Sequence, residues 1–221
     1  MKKQTVYFLS AIIFLSVCRG LYAQPFSIAR VKYHGGGDWY NDPSCIPNLC
    51  RFIKKNTKIL INEKEAQVSL DQEELFSYPV LFLTGHGMIS FSDKEAENLR
   101  NYLLNGGFLY ADDDYGMDKS FRREMKKVFP EREFTELPFS HGIYSVKYKF
   151  KNGLPKIHEH DGKAPQGFAI FDDFGRIMVF YTYETNISDG WADPEVHNDP
   201  PEKRLEALKM GTNIVVWALL H

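Results

Sequence analysis

Residues 80–116, VLFLTGHGMISFSDKEAENLRNYLLNGGFLYADDDYG, decide how this chain folds. The apolar run Val80–Leu83 ends in Thr84-Gly85-His86-Gly87. A helical stretch follows, and a second apolar run, Phe108–Ala111, empties into Asp112-Asp113-Asp114. Strand, helix, strand in that order is a crossover unit, so the two strands should be parallel neighbours. Both polar clusters then sit at the carboxyl ends of strands, the edge at which open α/β sheets bind their ligands. Inside the unit, Ser92-Asp93-Lys94-Glu95 is a capping-box pattern, with Ser92 as cap and Glu95 three residues on. Asn105-Gly106-Gly107 stops the helix, glycine supplying the left-handed turn.

Upstream, Ser27–Tyr33 alternates as a strand does, and His34–Tyr40 (HGGGDWY) is the loop behind it. Asn41-Asp42-Pro43 leads into a helix over Pro47–Asn56, and short strands are expected at Lys58–Ile61 and Ala66–Ser69. Downstream, Asp118–Phe129 has helical spacing, buries Phe121, Met125 and Val128, and ends at Pro130. Phe134–Leu137, Ile143–Phe150, Phe168–Phe171 and Arg176–Tyr183 read as strands, the last pair joined by the turn Asp172–Gly175. Glu202–Leu220 forms a closing helix. The sum is one α/β domain with a mostly parallel central sheet and a β-rich elaboration in its C-terminal half.

The chain has 221 residues, 43% of them hydrophobic, enough for one domain with a substantial core. Its first 23 residues read differently: Lys2 and Lys3 precede the apolar stretch Val6–Cys18, and Leu21-Tyr22-Ala23 is a cleavage site before Gln24. That layout is a secretory signal, too short for a comfortable membrane span, with retention as an anchor the alternative. Residues 24–221 would then be the mature domain, periplasmic or secreted, without a transmembrane span. Removing residues 1–23 takes three of 27 basic residues and no acidic one, leaving 24 against 29 acidic. With no basic block interleaved with aromatics, the composition argues against nucleic-acid binding. Cys45 and Cys50 remain. Export makes a disulfide between them thinkable, but Ile46, Leu49, Cys50 and Ile53 form a helical stripe on which Cys50 is a buried hydrophobe.

Three glycine-bearing loops should converge at the sheet edge: Gly35–Tyr40, Gly85–Gly87 and Asp112–Gly116. Three adjacent carboxylates need a counter-charge. A divalent cation held by Asp112 and Asp114 is one answer, and capping with Lys119, Arg122 or Arg123 nearby is the other. His86, flanked by glycines, suits a general base or a ligand contact. His141 follows Pro138-Phe139-Ser140 and is expected in the same cleft. His158-Glu159-His160-Asp161 has metal-like alternation, but reads better as a solvated loop because no further ligand cluster accompanies it in sequence. Trp39 and Trp191 stand in polar, acidic loops suited to a carbohydrate or peptide, though loop tryptophans more often cover the core. There is no Gly-x-Ser-x-Gly elbow, Walker loop, Cys-x-x-Cys or His-Glu-x-x-His.

Thr84-Gly85-His86-Gly87, Leu99-Arg100-Asn101-Tyr102-Leu103 with Gly106-Gly107-Phe108-Leu109, and Ala111-Asp112-Asp113 together resemble a bacterial family, domain of unknown function 4159. Val128-Phe129-Pro130, Gly175-Arg176 and Gly211-Thr212-Asn213-Ile214 extend the likeness from about Phe26 to Leu219. The resemblance implies a three-layer, flavodoxin-like sheet related to class I glutamine amidotransferases. Those enzymes carry a cysteine nucleophile on a strand-to-helix elbow, whereas Cys45 and Cys50 lie on or before a helix, so amidotransferase activity is not expected. The reading is therefore an exported binding domain for a carbohydrate, peptide or envelope component, without a required cofactor. Asp38, Trp39, Gly85, His86, Gly87, Asp112, Asp113, Asp114 and Trp191 are the candidates for ligand contact. The alternative is a metal-assisted hydrolase using His86 and Asp112–Asp114, with His141 a further catalytic candidate.

Overall fold

The computed structural model describes residues 24–158, 160 and 162–221. The expected signal segment 1–23, and Glu159 and Asp161 of the histidine-bearing loop, lie outside the described residues. Among the described residues seven strands form one sheet: β1 (Ile28–Lys32), β2 (Ala66–Ser69), β3 (Val80–His86), β4 (Phe108–Tyr115), β5 (Thr135–Glu136), β6 (Gln166–Phe171) and β7 (Ile177–Tyr183). Their order is β2-β1-β3-β4-β7-β6-β5. The first five in that order pair in parallel, while β6 and β5 are antiparallel additions at one end.

Among the described residues five helices accompany the sheet: α1 (Cys45–Asn56), α2 (Asp93–Leu104), α3 (Asp118–Val128), the short α4 (Pro194–His197) and α5 (Pro201–Leu220). Alternation along the central strands divides the core. Val80 and Phe82 of β3 join Ile46, Leu49, Met210 and Ile214 of α1 and α5 on one face. Leu81 and Leu83 join Leu99, Leu103, Phe121 and Met125 of α2 and α3 on the other. Both faces of β3 and β4 are covered, which is why each reads as a continuous apolar run. Among the described residues no helix is long and apolar enough to cross a membrane.

The helix boundaries follow their signals. Ser92 and Glu95 make both halves of the capping box, and Gly106 turns the chain at φ +99°. Two expected strands are not formed. Lys58–Ile61 contributes only a single bridge, Ile61 to Phe26. Ile143–Phe150 contains a short 3-10 turn (Gly142–Tyr144) and then irregular chain. There Asn213 of α5 satisfies the backbone that a sheet would otherwise pair: its Oδ1 accepts from Lys147 N and Tyr148 N, and its Nδ2 donates to Tyr148 O. Side-chain bonds to one buried asparagine thus replace a ladder. Cys45 and Cys50 are both buried free thiols on α1.

The crossover through α1 runs from β1 outward to β2, and the crossover through α2 runs from β3 the other way, to β4. The carboxyl ends of β1 and β3 therefore flank a switch point, where departing loops diverge and leave a crevice.

Candidate metal centre at the carboxyl edge

Four strand ends build this edge. Gly85 lets β3 finish beside the loop after β1: at φ +140°, a Cβ there would overlap the Tyr33 hydroxyl and reach Asp38. His86 N donates to Asp38 Oδ1, and His86 Nδ1 lies 3.1 Å from Asp38 Oδ2. The His86 side chain is half exposed. Around this pair stand Trp39, with Lys32 Nζ 5.5 Å from its ring, and the exposed Tyr40, Met88 and Tyr115. Gly87 N donates to Tyr115 O, closing the rim between β3 and β4. Asp38, Trp39, His86 and Gly87 thus share one partly exposed rim, with Gly85 buried beneath it.

The three aspartates at the end of β4 are completely buried and have three different surroundings. Asp112 is saturated by the protein: Thr182 Oγ1 and Thr185 Oγ1 donate to its Oδ1, and Ser188 N donates to its Oδ2 at 2.6 Å. Burial raises its carboxyl above the usual range, against the pull of those donors. Asp113 accepts from Met117 N at 3.1 Å and from the Tyr181 hydroxyl at 3.0 Å, tying β4 to the start of α3. Asp114 turns the other way. Its Oδ2 accepts from Asn41 Nδ2 and Thr84 Oγ1, while its Oδ1 is buried without a hydrogen-bond partner. Burial, then Asp189 and Asp112, push its carboxyl well up. Asp112 is thereby corrected from metal ligand to scaffold, because its oxygens are spent on protein donors. Asp113 likewise is buried, with both oxygens accepting from protein donors.

Asp113 carries a pH prediction. Burial lifts its carboxyl to about 7, from an ordinary value of 3.8. The folded protein therefore holds a proton that the unfolded chain has lost between those values. Stability should fall as pH rises through that window, with the full penalty above 7. Asp113→Asn removes the charge, so it should raise stability at pH 8 by about 1–3 kcal/mol over the parent and give no gain at pH 4. Thermal melts of both proteins at the two pH values decide it. Equal differences at both would show that the Asp113 charge is not the cause.

The densest chemistry lies between the loop after β7, α4 and the crossing chain at His158. His158, Asp189 and His197 each place one donor atom within 4.8 Å of the other two. His158 Nδ1 lies 2.9 Å from Asp189 Oδ2, and its Nε2 is held by Asp199 Oδ1 at 3.2 Å. His197 Nε2 lies 2.9 Å from Asp42 Oδ2 and 4.0 Å from Asp189 Oδ1. Burial works to raise the Asp189 carboxyl, but the hydrogen bond from His158 and the charges of His197 and His158 outweigh it and hold the carboxyl below its usual range. The same bond to Asp189 raises the His158 imidazole. Asp42 is lifted by burial, opposed by His197 and reinforced by neighbouring Asp189.

Among the described residues five buried oxygens at this edge have no hydrogen-bond donor: Asp114 Oδ1, Glu184 Oε2, Asp189 Oδ1, Asp199 Oδ2 and Asn41 Oδ1. Lone buried acceptors in such number are costly unless a cation, a proton or a water meets them. Two imidazoles and a carboxylate are a donor set suited to zinc or a related transition metal.

No compact local pattern in the sequence singles out Asp42, Asp189, His197 and Asp199, and His158, expected in a solvated loop, is instead part of this cluster. The clustered side chains come from positions 42, 158, 189 and 197, so no compact spacing announces them. Their one local trace is the run of acidic and histidine residues in Asp189–Asp199.

Two other expectations are corrected. Trp191 is buried in the core, 5.7 Å from Phe82 and 5.9 Å from Tyr110, with Nε1 donating to Ala207 O. It offers no ring to a ligand. His141 is packed 4.9 Å from Trp217, and its Nδ1 accepts from Ile143 N. Trp217 lies sixteen residues into α5, about 24 Å along the helix from the end that adjoins Asp199. His141 therefore belongs to the opposite side of the molecule. The buried thiols Cys45 and Cys50 are pushed up to about 12 by burial, which leaves them protonated and poor nucleophiles.

Sheet, crevice and side chains together define an α/β domain with a candidate ligand centre at the carboxyl edge of a mostly parallel sheet. The family model described as Domain of unknown function (DUF4159) matches residues 27–219, and the chain belongs to that family. No curated protein matches it significantly.

Proposed function

We propose that the protein is an exported, metal-dependent hydrolase of the α/β class, with a divalent transition metal held by His158, Asp189 and His197. The observation that carries this reading is the convergence of those three donors around a buried, unpartnered Asp189 oxygen. Three protein ligands leave a position for water, the arrangement of hydrolytic zinc sites rather than structural ones. Asp199 holds the far nitrogen of His158, as a carboxylate orients a metal-bound imidazole. A metal there would acidify its water, and Asp42, beside both His197 and Asp189, is placed to take the proton.

Zinc should therefore raise the melting temperature. At a hundredfold excess over Kd the gain is about 2.7 kcal/mol, or about 5–10 °C for a domain of this size. Asp189→Asn and His197→Ala should each remove the shift. A shift with calcium or magnesium alone, or none with zinc, manganese or cobalt, would sink the reading.

Binding without hydrolysis is the second reading, favoured by the rim of Trp39, Tyr40, Met88 and Tyr115 around Asp38 and His86. Such a rim suits a carbohydrate or peptide chain, or an envelope component. Turnover of neither ester nor amide substrates by the zinc-loaded protein would leave this reading standing. The buried thiols speak against amidotransferase chemistry. The order β2-β1-β3-β4 supports flavodoxin-like kinship.

Export rests on the charged and apolar start of the chain. The protein recovered outside the cytoplasm should begin at Gln24 on N-terminal sequencing, and a retained Met1 would overturn cleavage.

A further inference from the structure

The end of the sheet opposite the metal centre has a different chemistry. α1 and α5 both run back from the carboxyl edge and finish side by side, and their ends border a shallow groove. Lys55, Lys58 and Lys147 line it together with Ile59, Leu219 and Leu220, and no acidic side chain lines it. Leu220 is 66% exposed and Leu219 40%, and the adjoining Leu60 is 54% exposed. A chain with more acidic than basic residues thus gathers three lysines and two exposed leucines on one patch.

The described chain enters the fold at the same place. Phe26 N donates to Leu60 O, Asn62 N donates to Phe26 O, and Asn62 Nδ2 donates to Pro25 O. The apolar sequence Val6–Cys18 therefore joins the domain a few residues from this patch.

We propose that the Lys55–Lys58–Lys147 face docks on an anionic membrane surface, its leucines at the headgroup boundary, with the carboxyl edge turned towards the aqueous side. Lysines beside exposed apolar groups are the pairing that anionic bilayers recognise, charge drawing the protein in and apolar area holding it. A soluble polyanion would use the lysines and have no use for the leucines. This inference does not depend on the metal, and either can fail without the other.

The test is co-sedimentation of the full chain with vesicles of phosphatidylcholine alone or with phosphatidylglycerol added. Any contribution from residues 1–23 is common to all the proteins compared. Phosphatidylglycerol should tighten binding, and Lys55→Gln/Lys58→Gln/Lys147→Gln should weaken binding to the anionic vesicles by about a hundredfold, since each lysine near such a surface contributes about fivefold. Leu219→Ser/Leu220→Ser should also weaken it, while sparing retention on heparin. All replaced side chains lie at the surface, and an unchanged melting temperature confirms folding. Equal binding to both vesicle types overturns the proposal, as does a triple variant that binds like the parent. A dimer in gel filtration that Leu219→Ser/Leu220→Ser abolishes would assign the face to a second copy instead and also overturn it.

Discussion

Trp191→Ala should lower stability by about 3–5 kcal/mol, the cost of emptying a fully buried aromatic site. In melting temperature that is about 6–20 °C for a domain of this length. The indole packs on Phe82 of β3 and Tyr110 of β4, and Gly211 of α5 leaves room for it: a Cβ at Gly211 would lie 2.6 Å from the ring. Its Nε1 donates to Ala207 O at 2.8 Å, so alanine also abandons a buried carbonyl. Trp191 ends the short 3-10 turn that begins at Asp189. Loss of the ring should therefore loosen the proposed ligand Asp189 as well, and any stabilisation by zinc should shrink along with the melting temperature. Trp191→Phe, which keeps most of the volume, should cost less. Urea melts with and without zinc measure both effects. A Trp191→Ala protein within 1 kcal/mol of the parent would mean that the ring is not packed as described.

Arg30→Met should cost about 3–5 kcal/mol, because it leaves the partners of a buried charge unpaired. Arg30 is 1% exposed in the middle of β1. Its guanidinium donates to Glu65 Oε2 at 3.1 Å, to the carbonyls of Trp39, Asn41 and Asp42, and to Cys45 Sγ. Burial opposes the charge, but Cys45 and Glu65 more than restore it and raise its pKa. Three of those five partners are backbone groups of the segment that carries Asp42, which sits at φ +44°. Arg30 is thus the pin that keeps a strained aspartate beside His197. The variant should lose zinc affinity in addition to stability, even though residue 30 touches no proposed ligand. Loss of stability with unchanged zinc affinity would show that the loop holds itself.

The strands and helices around residues 80–116 were legible because each carries a local physical signal. β3 and β4 are apolar throughout, α2 has its capping box, and Gly106 has its turn. Ile143–Phe150 was misread for the converse reason. Its apolar content fits a strand, but the backbone partner came from Asn213, some 65 residues away. The aspartate run was legible as a place and illegible as a set of roles. Adjacent residues on a strand face opposite sides, so Asp112 and Asp114 meet one set of neighbours and Asp113 another.

The sequence alone determined the layered α/β architecture, the parallel pairing of β1, β3 and β4, and the edge at which their loops open. Periodicity, caps and glycine turns are properties of contiguous residues, and contiguity is what a sequence records. Tertiary structure alone decided which carboxylates are spent on protein donors and which stay unpaired. It also decided that His158, Asp189 and His197 meet, that Trp191 lies in the core, and that His141 lies far from them all. Those outcomes depend on where distant segments are brought together, as in the packing of α5 against α1 and the sheet.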